Sequence, residues 1–211
     1  MKKYINVGID VDGIIADFVI PFSKILRYLF KDKIPIITSY DQVLDWDWER
    51  WLPLSDTEIE QAWGIVNNSI NFWETLPLLN ENEWEYLKKN LSSPYINVYF
   101  ITHRTFSEGK SVVHQTIDWL SSNGWINPQV ILAKNKGSVA HCLDLDFFID
   151  DKLSNCVKVK NTLDTCRVYI KNYPYNNNYT ITLRRKFDKE FIRVNSLNTF
   201  VDDIIKYQTS L

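Results

Sequence analysis

The sequence predicts an α/β fold: a doubly wound, Rossmann-like parallel sheet with a small helical cap inserted after the first strand. Three observations carry this. Tyr4 to Ile9 is a continuous apolar run, the kind of strand that is buried on both faces. From residue 81 onward, short apolar strands alternate with helix-spaced segments, as in a parallel sheet covered by helices. Residues 18–80 break that alternation and read as mainly helical. The expected division is a core of 1–17 and 81–211, with 18–80 as the cap.

The elements follow in order. Ile14 to Phe30 has helical spacing at Ile15, Phe18, Val19, Phe22, Leu26, Leu29 and Phe30. Pro21 marks a kink in that helix or its true first turn. Residues 31–54 have weak periodicity and hold Trp46, Trp48 and Trp51, read as buried cap core. Ser55-Asp-Thr-Glu58 has the form of a capping box before Ile59, Ala62, Trp63 and Val66, and Asn67 to Ser69 ends that helix. Glu81 to Leu91 is a helix with Trp84, Leu87 and Leu91 on one face. Asn97 to Ile101 is a strand, and Ser107 to Asn123 a helix closed by Gly124. Val130 to Leu132 is a strand, Lys136 to Leu143 a short helix and Phe147 to Ile149 a strand. Arg167 to Ile170 is a further strand, Asn176 to Asn178 a turn cluster and Thr199 to Tyr207 a closing helix.

Composition narrows the class. The chain has 211 residues, 45% hydrophobic and 24% charged, enough for one substantial core with an insertion. A net charge of −2 gives no broad footprint for a nucleic acid polymer, although a local positive pocket still suits a small phosphorylated molecule. Cys142, Cys156 and Cys166 have no CxxC spacing, which argues against a disulfide framework or zinc site and fits a reducing cytoplasm. Only Lys2 and Lys3 stand between Met1 and the first strand, so no signal peptide is expected. No apolar run is long enough to span a bilayer.

The chemistry concentrates at predicted strand ends. The first strand ends in Asp10-Val-Asp12-Gly13. Side chains at i and i+2 of a strand point the same way, and in an open α/β sheet the strand ends face the ligand crevice. Two carboxylates forced together there call for a hard divalent cation such as Mg²⁺. Thr102 follows the second strand, Lys136 stands just beyond the third, and Asp150-Asp151 follows the fourth. Each alone has an ordinary reading: a turn residue, a solvated charge, a helix cap. Their convergence on one crevice is what suggests an active site.

This order of residues resembles the haloacid dehalogenase superfamily of phosphohydrolases. Asp10 to Phe18 (DVDGIIADF) is similar to the start of its 5′(3′)-deoxyribonucleotidase branch. Further similarities are Phe72-Trp73 shortly before Leu76-Pro77, Ala133-Lys134-Asn135-Lys136 before Asp150-Asp151, Pro174-Tyr175-Asn176, and Arg193-Val194-Asn195-Ser196-Leu197. The resemblance spans nearly the whole chain and is weakest in the middle of the cap. It implies that Asp10 is a nucleophile forming an aspartyl-phosphate, and that Asp12 is the acid/base. It implies that Asp10, Asp150 and the Asp12 backbone carbonyl hold Mg²⁺, with Asp151 orienting the site. Thr102, His103 and Lys136 would bind phosphate, and Phe18, Trp73 and Lys134 the rest of the substrate. Phe18 also fits a simple continuation of the first helix's apolar face.

Two departures stand out. His103 and Arg104 occupy positions where the branch usually has Ser and Pro, and Lys134 stands where Arg is common. Arg104 reads equally as a replacement cation or as a solvated loop residue; His103 is given no acid/base work. The expected partner is a small-molecule nucleotide, (deoxy)ribonucleoside monophosphates being the favoured substrates. A membrane partner is not expected, and a homodimer is left open. A superfamily phosphatase of another small phosphomonoester, or a catalytically silent nucleotide-binding domain, are the alternatives.

Overall fold

The computed structural model describes residues 4–177 and 191–210. Asn178 of the expected turn cluster and the lysines ahead of the first strand lie outside them. Six parallel strands form one sheet in the order β3-β2-β1-β4-β5-β6. They are β1 (Ile5–Ile9), β2 (Ile96–Thr102), β3 (Gln129–Leu132), β4 (Phe147–Asp150), β5 (Arg167–Lys171) and β6 (Ile192–Val194). β1 pairs with β2 through Ile9 and Phe100, and with β4 through Ile9 and Ile149. The strand order reverses at β1, so the crevice of a doubly wound sheet opens beyond Ile9. Val7 and Ile9 are fully buried, as a central strand covered on both faces requires.

The helices are α1 (Val19–Phe30), α2 (Asp56–Asn68), α3 (Glu81–Leu91), α4 (Val112–Ser122), α5 (Lys136–Cys142), α6 (Leu153–Thr162) and α7 (Leu197–Thr209). Between β1 and α3 the regular elements are helical: α1, α2 and four short 3-10 turns. The capping box of α2 forms as expected, with Glu58 N–H donating to Ser55 Oγ and Ser55 N–H donating to the Glu58 carboxylate at 2.9 Å. α4 ends in a Schellman motif. Trp125 N–H donates to Leu120 O, Gly124 N–H donates to Ser121 O, and Gly124 sits at φ +88°.

Several boundaries differ from the sequence reading, each for a local reason. The first helix starts at Val19 rather than Ile14. Residues 14–16 instead fold back on Val11 O, and Ala16 bridges both Asp12 and Leu78. Asp17 Oδ1 accepts the Ile20 N–H, which starts the helix and leaves Pro21 in its first turn. The two passages joining the sheet to the helical segment thus lie side by side, with Asp17 N–H on Pro77 O and Leu79 N–H on Ile15 O. α4 begins only after Ser111, whose hydroxyl caps His114 N–H, because Gln115 ties the preceding loop down. α6 and β6 were not anticipated: α6 buries only Leu153, Cys156 and Val159 among lysines, and β6 is three residues long. Trp48 is buried as expected, whereas Trp46 and Trp51 are only half-buried. Among the described residues no helix is long and apolar enough to cross a membrane. The three cysteines form no disulfide.

Candidate active site

The C-terminal ends of β1, β2 and β4 and the first turn of α5 meet in one place. Asp10 follows β1 and is nearly buried. Burial holds its carboxyl well above the ordinary carboxylate range, and the Asp150 charge adds to this. Lys136 Nζ lies 2.6 Å from Asp10 Oδ1 and 2.7 Å from Asp150 Oδ2. Burial works to lower the Lys136 pKa, but the two carboxylates outweigh it and hold the ammonium above its usual value. α5 delivers that lysine because Asn135 caps the helix, its Oδ1 accepting from Gly137 N–H and Ser138 N–H.

Asp150 ends β4 in full burial. Its oxygens accept from Lys152 N–H at 2.7 Å and from Asn155 Nδ2 at 3.1–3.2 Å. Asp151 accepts from the Tyr175 hydroxyl at 2.5 Å. Burial, followed by the Asp150 charge, pushes its carboxyl up to about 7. Asp10, Asp150 and Asp151 each place one carboxylate oxygen within a 4.8 Å cluster. Three buried carboxylates against the single Lys136 ammonium leave a net deficit that a divalent cation matches, and the donors are hard oxygens, which fits Mg²⁺. Asp151, expected only to orient the site, sits inside this cluster.

Asp12 faces another set of partners. Thr102 Oγ1 donates to Asp12 Oδ2 at 3.3 Å. Arg104 grips both carboxylate oxygens, Nη2 to Oδ1 at 2.8 Å and Nε to Oδ2 at 3.0 Å. The Arg104 side chain is 0% exposed, so it is no solvated loop residue.

These groups open into a cavity of about 620 Å³, the size of a small-molecule site. Of the expected site residues, Asp10, Asp12, Phe18, Trp73, Thr102, His103, Lys134 and Lys136 all line it; Asp150 lies behind, in contact with Lys136. Phe18 and Trp73 are 4% and 2% exposed and stack on one another at 5.8 Å. They form a packed wall more than an open face. Trp46 and Trp63 also line the cavity and keep part of their surface open, a role unassigned from sequence because tryptophan clusters ordinarily read as core. Lys152 and Lys158 complete a basic rim with Lys134 and His103. Partial burial and then the neighbouring lysines, Lys134 first, hold the His103 pKa below its ordinary value. Asn155, whose amide reaches Asp150 from the first turn of α6, has a sequence signal in its place five residues after Asp150.

The fold is that of the haloacid dehalogenase-like hydrolases. Three solved structures share the architecture at low identity. A HAD family hydrolase from Deinococcus radiodurans R1, solved with bound phosphate and sodium, matches at TM-score 0.53 and 10% identity, covering 93% of this chain and 92% of that one. A HAD-superfamily hydrolase from Geobacter sulfurreducens PCA matches at 0.52 and 11%, covering 94% and 98%. A haloacid dehalogenase-like hydrolase from Xanthomonas campestris matches at 0.50 and 11%, covering 100% and 98%. More specifically, residues 3–195 match the family model of the 5′ nucleotidase, deoxy (Pyrimidine), cytosolic type C proteins (NT5C), and the chain belongs to that family. A Chlorobaculum tepidum protein named "Putative 5′(3′)-deoxyribonucleotidase" is 23% identical over 164 residues, 75% of each chain. The enzyme is thus a hydrolase of the nucleotidase family, as the resemblance implied.

Proposed function

We propose that the protein is a Mg²⁺-dependent phosphatase of (deoxy)ribonucleoside monophosphates that works through an aspartyl-phosphate intermediate. The observation that carries this reading is the Lys136 bridge between Asp10 and Asp150 at the floor of an aromatic-walled cavity. A buried carboxylate beside an ammonium, at the switch point of the sheet, is suited to attack phosphorus. In this reading residues 18–80 act as a cap that shapes the substrate end of the cavity, over a core of 1–17 and 81–211.

Asp10 attacks the phosphorus atom, its carboxylate oxygen replacing the nucleoside oxygen. Asp12 donates a proton to that leaving oxygen, then takes one from the water that cleaves the acyl phosphate. Lys136, the Thr102 hydroxyl and His103 bind the phosphate oxygens, which carry the developing charge. Asp10, Asp150 and the Asp12 carbonyl would hold the cation, with Asp151 close enough to join them. Bound Mg²⁺ supplies charge neutralisation between an anionic nucleophile and an anionic phosphate. Phe18 and Trp73 back the nucleoside pocket, Trp46 and Trp63 offer it open aromatic surface, and Lys134 stands at its rim. The family's cytosolic type and the lack of disulfides support a cytoplasmic setting.

A phosphate-release screen with Mg²⁺ across all mononucleotides and a set of sugar phosphates tests this. Mononucleotides are expected to give the highest kcat/KM. Preference for a sugar phosphate over every nucleotide would overturn the substrate assignment.

A further inference from the structure

Arg104 has no part in the reaction outlined above, yet it is the most completely engaged cation in the site. Its guanidinium is fully enclosed and absent from the cavity wall, so it does not reach a substrate. All three of its nitrogens are used. Nε and Nη2 form the fork on Asp12, and Nη1 donates to Thr116 Oγ1 at 3.0 Å on α4. The guanidinium carbon lies 4.9 Å over the Trp73 ring and 5.9 Å from that of Trp119. Trp73 is itself fixed, its indole N–H on Thr105 O at 2.9 Å and its backbone N–H on Gln115 Oε1 at 3.2 Å. The placement follows from the chain. Thr102 ends β2 and Arg104 follows it two residues on; both reach Asp12, and Thr102 and His103 line the cavity.

We propose that Arg104 is a positioning residue: its fork, held by Thr116 and Trp73, fixes the Asp12 carboxylate where it must exchange a proton with the leaving oxygen. A buried pair of this kind contributes little net stability, because desolvation offsets the attraction. What a bidentate fork does supply is a single orientation of the carboxylate, which a lysine's point charge does not. The proposal rests on the reading of Asp12 as the acid/base.

The leaving group separates this role from a merely structural one. An alkoxide needs a proton to depart; p-nitrophenolate does not. The experiment compares kcat/KM for the best mononucleotide and for p-nitrophenyl phosphate, in the wild type, Arg104→Gln, Arg104→Lys, Asp12→Asn and the Asp12→Asn/Arg104→Gln pair. For Arg104→Gln we expect a loss on the nucleotide of about 10²-fold, with a far smaller loss on the aryl ester. Asp12→Asn should show the same selectivity, and the double variant little beyond Asp12→Asn alone. Arg104→Lys, which keeps the charge, should keep the fold and still lose on the nucleotide selectively. It decides the matter if Arg104→Gln does not fold. Equal losses on both esters in the Arg104 variants, with selectivity intact in Asp12→Asn, would overturn the Arg104 role and leave the Asp12 assignment standing. Absence of selectivity in Asp12→Asn would overturn both.

Discussion

Lys136 Nζ lies 2.6 Å from Asp10 Oδ1, with both side chains almost wholly withdrawn from water. Removing one member of such a pair leaves the other buried and uncompensated. Lys136→Ala should therefore lower unfolding free energy by about 3 kcal/mol at neutral pH, read from urea denaturation. Phosphate release should fall to background in the same variant. The stability deficit should shrink toward acid pH, because Asp10, already raised by burial, takes up a proton there.

In the proposed Mg²⁺ site, metal and protons would compete for the same carboxylates. Asp10 and Asp151 have folded pKa values above their unfolded ones, Asp151 at about 7. Groups raised in this way stabilise the metal-free fold below the unfolded pKa, and that stability is lost as pH rises through the folded value. The metal-free protein should thus lose stability between about pH 4 and pH 7. Mg²⁺ binding needs the ionised forms, so the Tm gain on adding Mg²⁺ should be larger at about pH 8 than at about pH 5. At a hundredfold excess over Kd it should be worth about 2.7 kcal/mol, roughly 5 to 10 °C. Differential scanning fluorimetry reads this directly, and Asp150→Asn should abolish the gain.

Gly13 couples the backbone to the carboxylate cluster. It sits at φ +80°, and a Cβ there would lie 2.3 Å from Asp151 Oδ2. Its carbonyl also accepts the Tyr173 hydroxyl at 3.0 Å. Gly13→Ala must strain the backbone and push Asp151 aside together. The expected result is a destabilisation of about 1–3 kcal/mol with a weakened Mg²⁺-induced Tm shift.

The basic rim should act on encounter. Lys134 and Lys158 are exposed at the cavity mouth. Field focusing into a low-dielectric cleft raises the capture rate of anions, and salt screens it. The Lys134→Ala/Lys158→Ala pair should lower kcat/KM for a mononucleotide by about tenfold at low ionic strength, with kcat little changed. The salt dependence of kcat/KM should flatten in parallel.

The regular half of the molecule was legible because its signals are local. β1, α2 and α3 follow from an apolar run, a capping box and a helical stripe that need no tertiary partner. The site's charged members were legible because strand ends share a crevice in any doubly wound sheet. What the sequence hid depends on distant contacts. The α1 start is set by pairing between residues 15–17 and 77–79, far apart in the chain. For Arg104 the sequence leaves a replacement cation and a solvated loop residue equally open, because its partners, Asp12, Thr116 and Trp73, come from three separate segments. Trp46 and Trp48 both line the cavity, yet one is half-buried and the other buried, a division no local pattern marks.

The central claim is that Asp10 attacks phosphorus. Phosphate release from p-nitrophenyl phosphate by Asp10→Asn, at saturating Mg²⁺ and with the fold checked by circular dichroism, tests it most directly. The account predicts a loss of roughly 10³-fold or more in kcat. A folded Asp10→Asn enzyme that keeps activity within about tenfold of the wild type would contradict it.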